Sequence, residues 1–239
     1  MKLELSTMKY YFLTCDNQKR RQHIIEQMHC YDLQEINPQS TKDGISKVQS
    51  GATGMMRILD KATKDQDRSK PFQPFMILED DVKWYRDSMT SIEIPDNADL
   101  LYTGISNFGI THVRSFPNVV CCQECPRYDG ITRIKNMLST HSIVVCSMYG
   151  LLTLQKCFME DYFKNRPYDT TIAFMQPFIN AYALATPLFY QCAEMGGQER
   201  ATKLAMTDKD YSTFFNKEIP EIWRKMDTVS FQLLAFLWY

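Results

Sequence analysis

The chain has 239 residues, of which 44% are hydrophobic and 23% are charged, so it can bury a sizeable core in one domain or in one domain with a short appendage. Its 27 basic and 28 acidic side chains give a formal net charge of −1, which excludes a global field that would attract nucleic acid or an anionic membrane. We therefore expect no nucleic-acid partner.

The N-terminal residues contain no apolar core of the kind that a signal peptide requires, and no uninterrupted apolar run is long enough to span a bilayer. We therefore expect a cytoplasmic protein whose eight cysteines are free thiols rather than a disulfide framework. Cys122 and Cys125 have zinc-knuckle spacing, but no second Cys-x-x-Cys and no spaced histidine pair completes four ligands. Small buried hydrophobic residues beside a loop are the favoured interpretation, and structural zinc is the alternative.

Predicted strands and helices alternate in the first third of the chain. The opening segment is aromatic and β-favouring, and Asp16 or Asn17 can cap the helix that follows it. The predicted elements are a strand at 8–14, a helix at 18–29, a strand at 31–36, a loop at 44–54, a helix at 55–62, a surface connection at 64–74 and a strand from residue 75. This order predicts an α/β fold with a parallel sheet.

An apolar run meets three consecutive carboxylates within residues 75–82. The four apolar residues after Pro74 predict a buried strand, and Glu79, Asp80 and Asp81 follow directly. Carboxylates at a strand end repel one another unless a cation or protons neutralise them. Oxygen ligands of this kind suit Mg²⁺ or Mn²⁺, which keeps open positions for substrate phosphates. A solvated acidic turn is the alternative, and the abrupt change from apolar to acidic residues favours the metal site.

The same strand ends are expected to form a crevice, because ligands of parallel α/β sheets bind at the carboxyl ends of the strands. Thr14 and the three acidic residues lie at such ends. Arg20 and Arg21 open the helix after the first strand, where backbone donors also favour anions. Two solvated helix arginines are the alternative interpretation of this pair.

The pattern is less regular downstream. We predict a helix at 148–164, a turn at 165–169 and a further helix capped by Asp169 or Thr170. Predicted strands lie at 100–103, 119–122, 142–146, 182–184 and 188–190. Residues 206–239 are predicted to form a helical extension on a domain of residues 1–205. The apolar end of this extension is too short to cross a membrane, so we expect it to dock on the domain, with a membrane-surface or protein contact as the alternative.

These pieces resemble the A-type (GT-A) nucleotide-sugar glycosyltransferases, in particular glycosyltransferase family 25 and the glycosyltransferase domain of large chlorella viruses. The similar stretches, within residues 8–200, are the strand at 11–14 with Arg20 and Arg21, a glycine-rich turn at 51–56, the acidic strand at 77–82, and the segments 168–170 and 182–187. The acidic strand resembles the family's variant of the metal-binding Asp-x-Asp motif, with Glu79 where a strict motif has aspartate. The helical extension matches nothing in the family, and no histidine follows His141 as a C-terminal metal ligand.

The resemblance implies a Rossmann-like GT-A fold, with a mixed, mainly parallel sheet flanked by helices and a helical C-terminal tail. It implies a hexosyltransferase that moves a sugar from a nucleotide diphosphate donor, a UDP-sugar, to a glycan hydroxyl with inversion. Mn²⁺ or Mg²⁺ would be held by Asp81 and Glu79. Thr14, Arg20, Arg21, Glu79 and Asp80 would bind the donor. A virus-encoded member would act in the host cytoplasm.

The acceptor hydroxyl of an inverting enzyme needs a general base. Asp169 is the first candidate and Glu199 the second, and a plain helix cap is the alternative role of Asp169. His141 could contact the substrate or be a satisfied structural histidine. Trp84 and Tyr85 follow the acidic strand and could stack on a sugar or pack in the core.

Two other classes of protein remain compatible with these residues. A metal-dependent phosphohydrolase or nuclease also uses clustered carboxylates, although it usually draws them from separate strands. An inactive nucleotide-sugar-binding or interaction module would keep the site without the chemistry.

Overall fold

The computed structural model describes residues 1–14, 17–86, 89–109 and 120–197, and it shows an α/β protein with a large mixed sheet flanked by helices. The helices are α1 (Gln18–Gln27), α2 (Lys47–Lys64), α3 (Met148–Phe163) and α4 (Thr170–Met175). The strands are β1 (Lys2–Glu4), β2 (Lys9–Leu13), β3 (Asp32–Ile36), β4 (Phe75–Glu79), β5 (Val82–Trp84), β6 (Ser91–Glu93), β7 (Leu100–Tyr102), β8 (Cys121–Glu124), β9 (Ile131–Lys135), β10 (Ser142–Val145), β11 (Ala181–Leu184) and β12 (Phe189–Gln191).

The main sheet has eight strands in the order β3-β2-β4-β10-β7-β11-β9-β8. The strands β2, β3 and β4 are mutually parallel, and β7 is parallel to β11. Only β9 and β10 run against the other six strands, because each pairs antiparallel with both of its neighbours. Two antiparallel ribbons, β1–β6 and β5–β12, accompany the sheet. The predicted strand-helix-strand-helix-strand order is confirmed for β2, α1, β3, α2 and β4.

Alternation along β2 builds two layers of core around the sheet. Tyr10 and Phe12 are buried in one cluster with Ile24 and Met28, which lie in α1 and at its end. Tyr11, between them, faces the other way, and its hydroxyl donates to Asp65 at the end of α2 with an O–O distance of 2.8 Å. Burial of each such large side chain stabilises the fold by roughly 1.5–3 kcal/mol relative to an exposed position.

The first helix begins where the sequence predicted. The side chain of Asn17 accepts hydrogen bonds from the backbone N–H groups of Lys19 and Arg20 at 3.1 and 3.3 Å. These bonds satisfy two donors that the first turn leaves without helical partners. Asn17 is therefore the cap, and the alternative cap Asp16 lies outside the described residues.

The second helix begins earlier than predicted, so the expected loop at 44–54 and the glycine-rich turn at 51–56 are wrong. Ser46 and Gln49 form a reciprocal capping box that starts α2 at Lys47. Gly51 and Gly54 lie inside this helix, where a missing side chain permits close packing rather than a turn. A β-carbon on Gly51 would lie 2.5 Å from Cε1 of Tyr168, and one on Gly54 would collide with Leu13.

The downstream elements agree in part with the prediction. The structure confirms β7, β10, β11, β12, α3 and α4 to within a few residues at their ends. The strands β1, β5, β6 and β9 were not predicted. Each is three to five residues long and pairs with a strand that is distant in the sequence. The strand expected at 119–122 starts later, as β8.

The predicted extension at 206–239 lies outside the described residues, and its boundary stays a prediction. Within the described ranges, no helix combines the length and the apolar character needed to cross a lipid bilayer.

Candidate active site

The acidic residues lie at the carboxyl end of β4, next to the carboxyl end of β2. Glu79 is the last residue of β4 and stands in register with Leu13, while Asp80 and Asp81 form the turn into β5. Thr14 follows Leu13 directly. The parallel pairing of β2 and β4 therefore brings Thr14 and Glu79 to one edge of the sheet, as the sequence predicted.

A cleft of about 770 Å³ opens at this edge, and we refer to it as the first cleft. Thr14, Glu79 and Asp80 lie on its sheet side. Most of its other lining residues come from α1, from the segment between β3 and α2, and from the first turns of α2, and Tyr168 joins them from the turn before α4. The cations among them are Arg20, Lys42 and Lys47. The first cleft therefore combines a carboxylate edge with three positively charged side chains.

Arg20 joins α1 to the acidic turn. Its guanidinium forms ion pairs with Asp80 and Asp81, and the side chains of both aspartates are only 4% exposed. Burial raises the pKa of the Asp81 carboxyl, Arg20 opposes this shift, and the neighbouring charge of Asp80 reinforces it. One oxygen of Asp81, Oδ1, is buried and has no hydrogen-bond partner among the described residues.

Asp80 and Asp81 are the described carboxylates whose chemistry would suit a divalent metal ion. Among the described residues, no group of three or more histidine, cysteine or acidic side chains is arranged to hold a metal. Mg²⁺, however, is commonly bound by only one or two carboxylates together with substrate phosphates. The unsatisfied buried oxygen of Asp81 is a hard ligand of this kind. Asp81 is not among the residues that line the two clefts, but Asp80, its neighbour in the sequence, lines the first cleft.

Glu79 lies between the first cleft and a second one. Its Oε1 accepts hydrogen bonds from the hydroxyls of Tyr168 and Thr140, both at 2.8 Å, and its Oε2 accepts one from Gln191 at 3.2 Å. Burial and the charge of Asp81 raise the pKa of Glu79, and the hydrogen bonds from Tyr168 and Thr140 act against this shift. The second cleft has a volume of about 620 Å³, and Glu79 and Tyr168 line both clefts.

Asp169 lines the second cleft. It occupies the cap position of α4, but its side chain makes no capping hydrogen bond, so the structure does not support the plain helix-cap role. Burial raises the pKa of Asp169 to about 6, and the charge of Asp161 adds to this shift. A carboxylate with a pKa near neutrality suits a general base.

His141 also lines the second cleft and is buried. Its Nδ1 lies 3.0 Å from the Ser139 hydroxyl, and its Nε2 has no hydrogen-bond partner in the described part of the chain. Burial lowers the pKa of His141 to about 4, so the ring is neutral at physiological pH. It therefore offers a neutral polar group to the cleft rather than a charge.

Other candidate residues lie elsewhere. Arg21 pairs with Glu35 of β3, with Nη2 2.7 Å from the carboxylate, and it is not among the residues that line the two clefts. Trp84 packs against Phe189, with ring centroids 4.1 Å apart, which supports the core interpretation. Tyr85 is 46% exposed. Glu199 lies outside the described residues, so its role stays a prediction.

Several lining residues were not predicted from the sequence. Lys42 and Lys47 are exposed and line the first cleft. Nothing local marks them as ligand-binding residues. Tyr168 was noted only within a family-like segment, and its contact with Glu79 joins residues 89 positions apart. Cys122 and Cys125 are partly buried free thiols, and burial raises the pKa of Cys122 to about 11.

Comparison with known proteins adds no family to these observations. The sequence matches no protein-family model and no curated protein. The function is therefore inferred from the two clefts and from the sequence motifs.

Proposed function

We propose that this chain is a metal-dependent glycosyltransferase with the GT-A arrangement, which moves a sugar from a nucleotide diphosphate donor, a UDP-sugar, to a glycan hydroxyl with inversion. One observation carries the proposal: a cation-lined cleft and a cleft containing a carboxylate of raised pKa meet at the end of the acidic strand. A donor and an acceptor need such adjacent sites, because the reacting atoms must approach to about 3–3.5 Å.

The first cleft supplies what a nucleotide diphosphate requires. Arg20, Lys42 and Lys47 place positive charge around it, which favours the donor and stabilises the charge that develops on the departing diphosphate. Thr14 and Asp80 offer hydrogen-bonding groups for the nucleoside.

Asp81, with Glu79 or Asp80, would hold Mn²⁺ or Mg²⁺ at the edge of the first cleft. The metal, when bound, supplies Lewis-acid stabilisation of the diphosphate oxygens. The chain's own contribution is to keep the Asp81 carboxylate buried beside Arg20, so that its free oxygen keeps a fixed position.

The second cleft supplies the acceptor chemistry. Asp169 takes the proton of the acceptor hydroxyl while the hydroxyl oxygen attacks the anomeric carbon. The bond from that carbon to the diphosphate oxygen breaks, and its electron pair leaves with the diphosphate. Attack from the side opposite the leaving group inverts the configuration, so the base and the diphosphate belong in different clefts.

The partners in this proposal are a nucleotide-sugar donor and a glycan acceptor, and the proposed location is the cytoplasm, or the host cytoplasm for a virus-encoded chain. A contact of the C-terminal extension with a membrane surface or another protein is part of the same proposal. Neither cleft requires a nucleic acid.

The test is a panel of nucleoside diphosphates and nucleotide-sugars, measured by thermal unfolding with and without Mn²⁺ and followed by analysis of the products. A glycosyltransferase gains stability from one nucleoside diphosphate in the presence of metal, and it transfers or slowly hydrolyses the matching donor. Stabilisation without any release of sugar would indicate the inactive binding module. Release of inorganic phosphate without release of sugar would indicate a phosphohydrolase.

A further inference from the structure

Tyr168 occupies an unusual place in the described structure, because its side chain belongs to the walls of both clefts. Its hydroxyl donates to Glu79 at 2.8 Å, and Glu79 is the other residue that the two clefts share. The hydrogen-bonded pair of Tyr168 and Glu79 therefore forms the boundary between the clefts.

Three contacts keep the ring in this position. One edge lies against Gly51 of α2, where a β-carbon would come within 2.5 Å of Cε1. The ring also meets Phe158 of α3 in an edge-to-face arrangement, with centroids 6.2 Å apart. The third contact is the hydrogen bond to Glu79. A side chain held by two helices and one strand end has little freedom to leave its position.

We infer that the Tyr168 ring is a partition in one specific sense: it fills space between the two clefts that water would otherwise occupy beside the anomeric carbon of the bound donor, so that the acceptor hydroxyl held in the second cleft, rather than water, attacks that carbon. This inference rests on the proposed function and makes Tyr168 a positioning residue for it. Water and the acceptor compete for one reaction: in either case the attacking oxygen bonds to the anomeric carbon, the bond to the diphosphate breaks with its electron pair, and the proton passes to the base. The ring affects the two nucleophiles differently, because it takes up room for a water molecule and leaves the acceptor site in the second cleft intact.

Glu79 does not depend on Tyr168 alone for its position. Thr140 donates to the same carboxylate oxygen, and Gln191 donates to the other one. Loss of the tyrosine hydroxyl therefore leaves two of the three hydrogen bonds to Glu79. Loss of the ring removes the boundary itself. A variant that lacks the hydroxyl and a variant that lacks the ring therefore separate the hydrogen bond to Glu79 from the boundary between the clefts.

The experiment measures, for one nucleotide-sugar, the ratio of hydrolysed to transferred sugar at a fixed acceptor concentration. Tyr168→Leu removes the ring, and we expect the ratio to rise about tenfold or more, since water then reaches the donor. Tyr168→Phe keeps the ring, and we expect its ratio to stay within about twofold of the unmodified protein. Phe163→Leu, an aromatic substitution at a position that is 74% exposed, is the control for general effects.

Gly51→Ala tests the same partition without altering the tyrosine. The added methyl group would push the ring from its place, and we expect the ratio to move in the same direction as in Tyr168→Leu by a smaller factor. This variant keeps the inference testable if Tyr168→Leu does not fold, because alanine itself favours the helix.

The outcomes separate the inference from the proposed function. An unchanged ratio in folded, active Tyr168→Leu and Gly51→Ala proteins would overturn the partition and leave the glycosyltransferase proposal standing. A rise of equal size in Tyr168→Phe would also overturn it, because the hydroxyl rather than the ring would then be responsible. If the unmodified protein neither transferred nor hydrolysed any donor of the panel, both the proposed function and the partition would fall.

Discussion

Arg20 forms an ion pair with Asp81 across 61 positions of sequence and so joins the start of α1 to the turn after β4. The same guanidinium lies 3.2 Å from the carboxylate of Asp80. In the absence of metal, Arg20 therefore neutralises the carboxylates that we propose as metal ligands. The two cations compensate the same negative charge, so a change in one alters the response to the other.

We expect Arg20→Met to lower the free energy of unfolding by about 2–4 kcal/mol without metal, because it removes a cation that pairs with two buried carboxylates. Mn²⁺ should then stabilise this variant more than the unmodified protein, since the metal takes over the compensating charge. Thermal unfolding with and without MnCl₂ measures both effects. Arg21→Met is the matched control, because the neighbouring arginine pairs with Glu35 instead. If Mn²⁺ stabilised the two variants equally, Arg20 and the metal would not compensate the same negative charge.

Asp81→Asn should weaken metal-dependent binding of the nucleoside diphosphate about tenfold or more, because the amide keeps the shape of the side chain but is a poor ligand for a hard cation. The measurement is the shift in unfolding temperature with the diphosphate and Mn²⁺ together. Asp60→Asn, at an exposed position of α2 where the carboxylate pairs with Lys64, should leave this shift unchanged. Unaltered metal-dependent binding in Asp81→Asn would remove Asp81 from the proposed metal site.

Local signals explain which parts of the fold and the site could be predicted. The apolar run before Glu79 and the cap at Asn17 are readable from neighbouring residues, and both occur as expected. Parallel pairing of the first and third predicted strands then places Thr14 beside Glu79. β10 runs antiparallel to β4, whose paired residues are 60 to 70 positions away in the sequence. Residues next to β10 therefore do not indicate its direction.

The errors also have a physical cause. Gly51 and Gly54 lower the intrinsic helix propensity of their segment, which predicts a loop. Tertiary packing reverses this preference, because Tyr168 and Leu13 need the space that a side chain would occupy. The second cleft could not be predicted, since its residues come from segments that meet only in the folded chain. The contact between Tyr168 and Glu79 is the clearest case.

The pKa of Asp169 predicts how the activity depends on pH. The carboxyl ionises at about 6, so a base at this position loses its function as the pH falls through about 6. We expect kcat/KM for sugar transfer to decline on the acid side with an apparent pKa near this value. Asp169→Asn should lower kcat by a factor of about 10² to 10⁴ and abolish this limb of the profile. If Asp169→Asn kept both its kcat and the decline of kcat/KM at acid pH, Asp169 would be excluded as the base and Glu199 would be the remaining candidate.

The same shift predicts an effect on stability with a defined sign. The native pKa of Asp169 lies above the ordinary value of 3.8, so the native state binds the proton more tightly than the unfolded chain does. The resulting loss of stability is absent below about pH 4, grows as the pH rises to about 6 and is complete above that. Asp169→Asn should therefore be more stable than the unmodified protein at pH 7, by at most about 3 kcal/mol, and similar to it at pH 4. Urea unfolding at pH 4 and pH 7 measures the difference in free energy of unfolding between the two proteins. The same difference at both pH values would contradict the raised pKa of Asp169.

The turn that carries Tyr168 and Asp169 depends on a buried carboxylate in α3. Asp161 is fully buried, pairs with Arg166 of the turn and accepts a hydrogen bond from the backbone N–H of Thr171 in α4 at 3.0 Å. Removal of its charge leaves Arg166 without compensation in a partly buried position.

We therefore expect Asp161→Asn to lower the free energy of unfolding by about 2–4 kcal/mol in urea. Glu160→Gln, one position earlier, loses a partly exposed pair with Lys164 and should change stability by no more than about 1 kcal/mol. Because the turn forms one wall of the second cleft, the Asp161 variant should also raise KM for the acceptor more than KM for the donor. Equal changes in the two KM values would mean that Asp161 supports the whole domain rather than this wall.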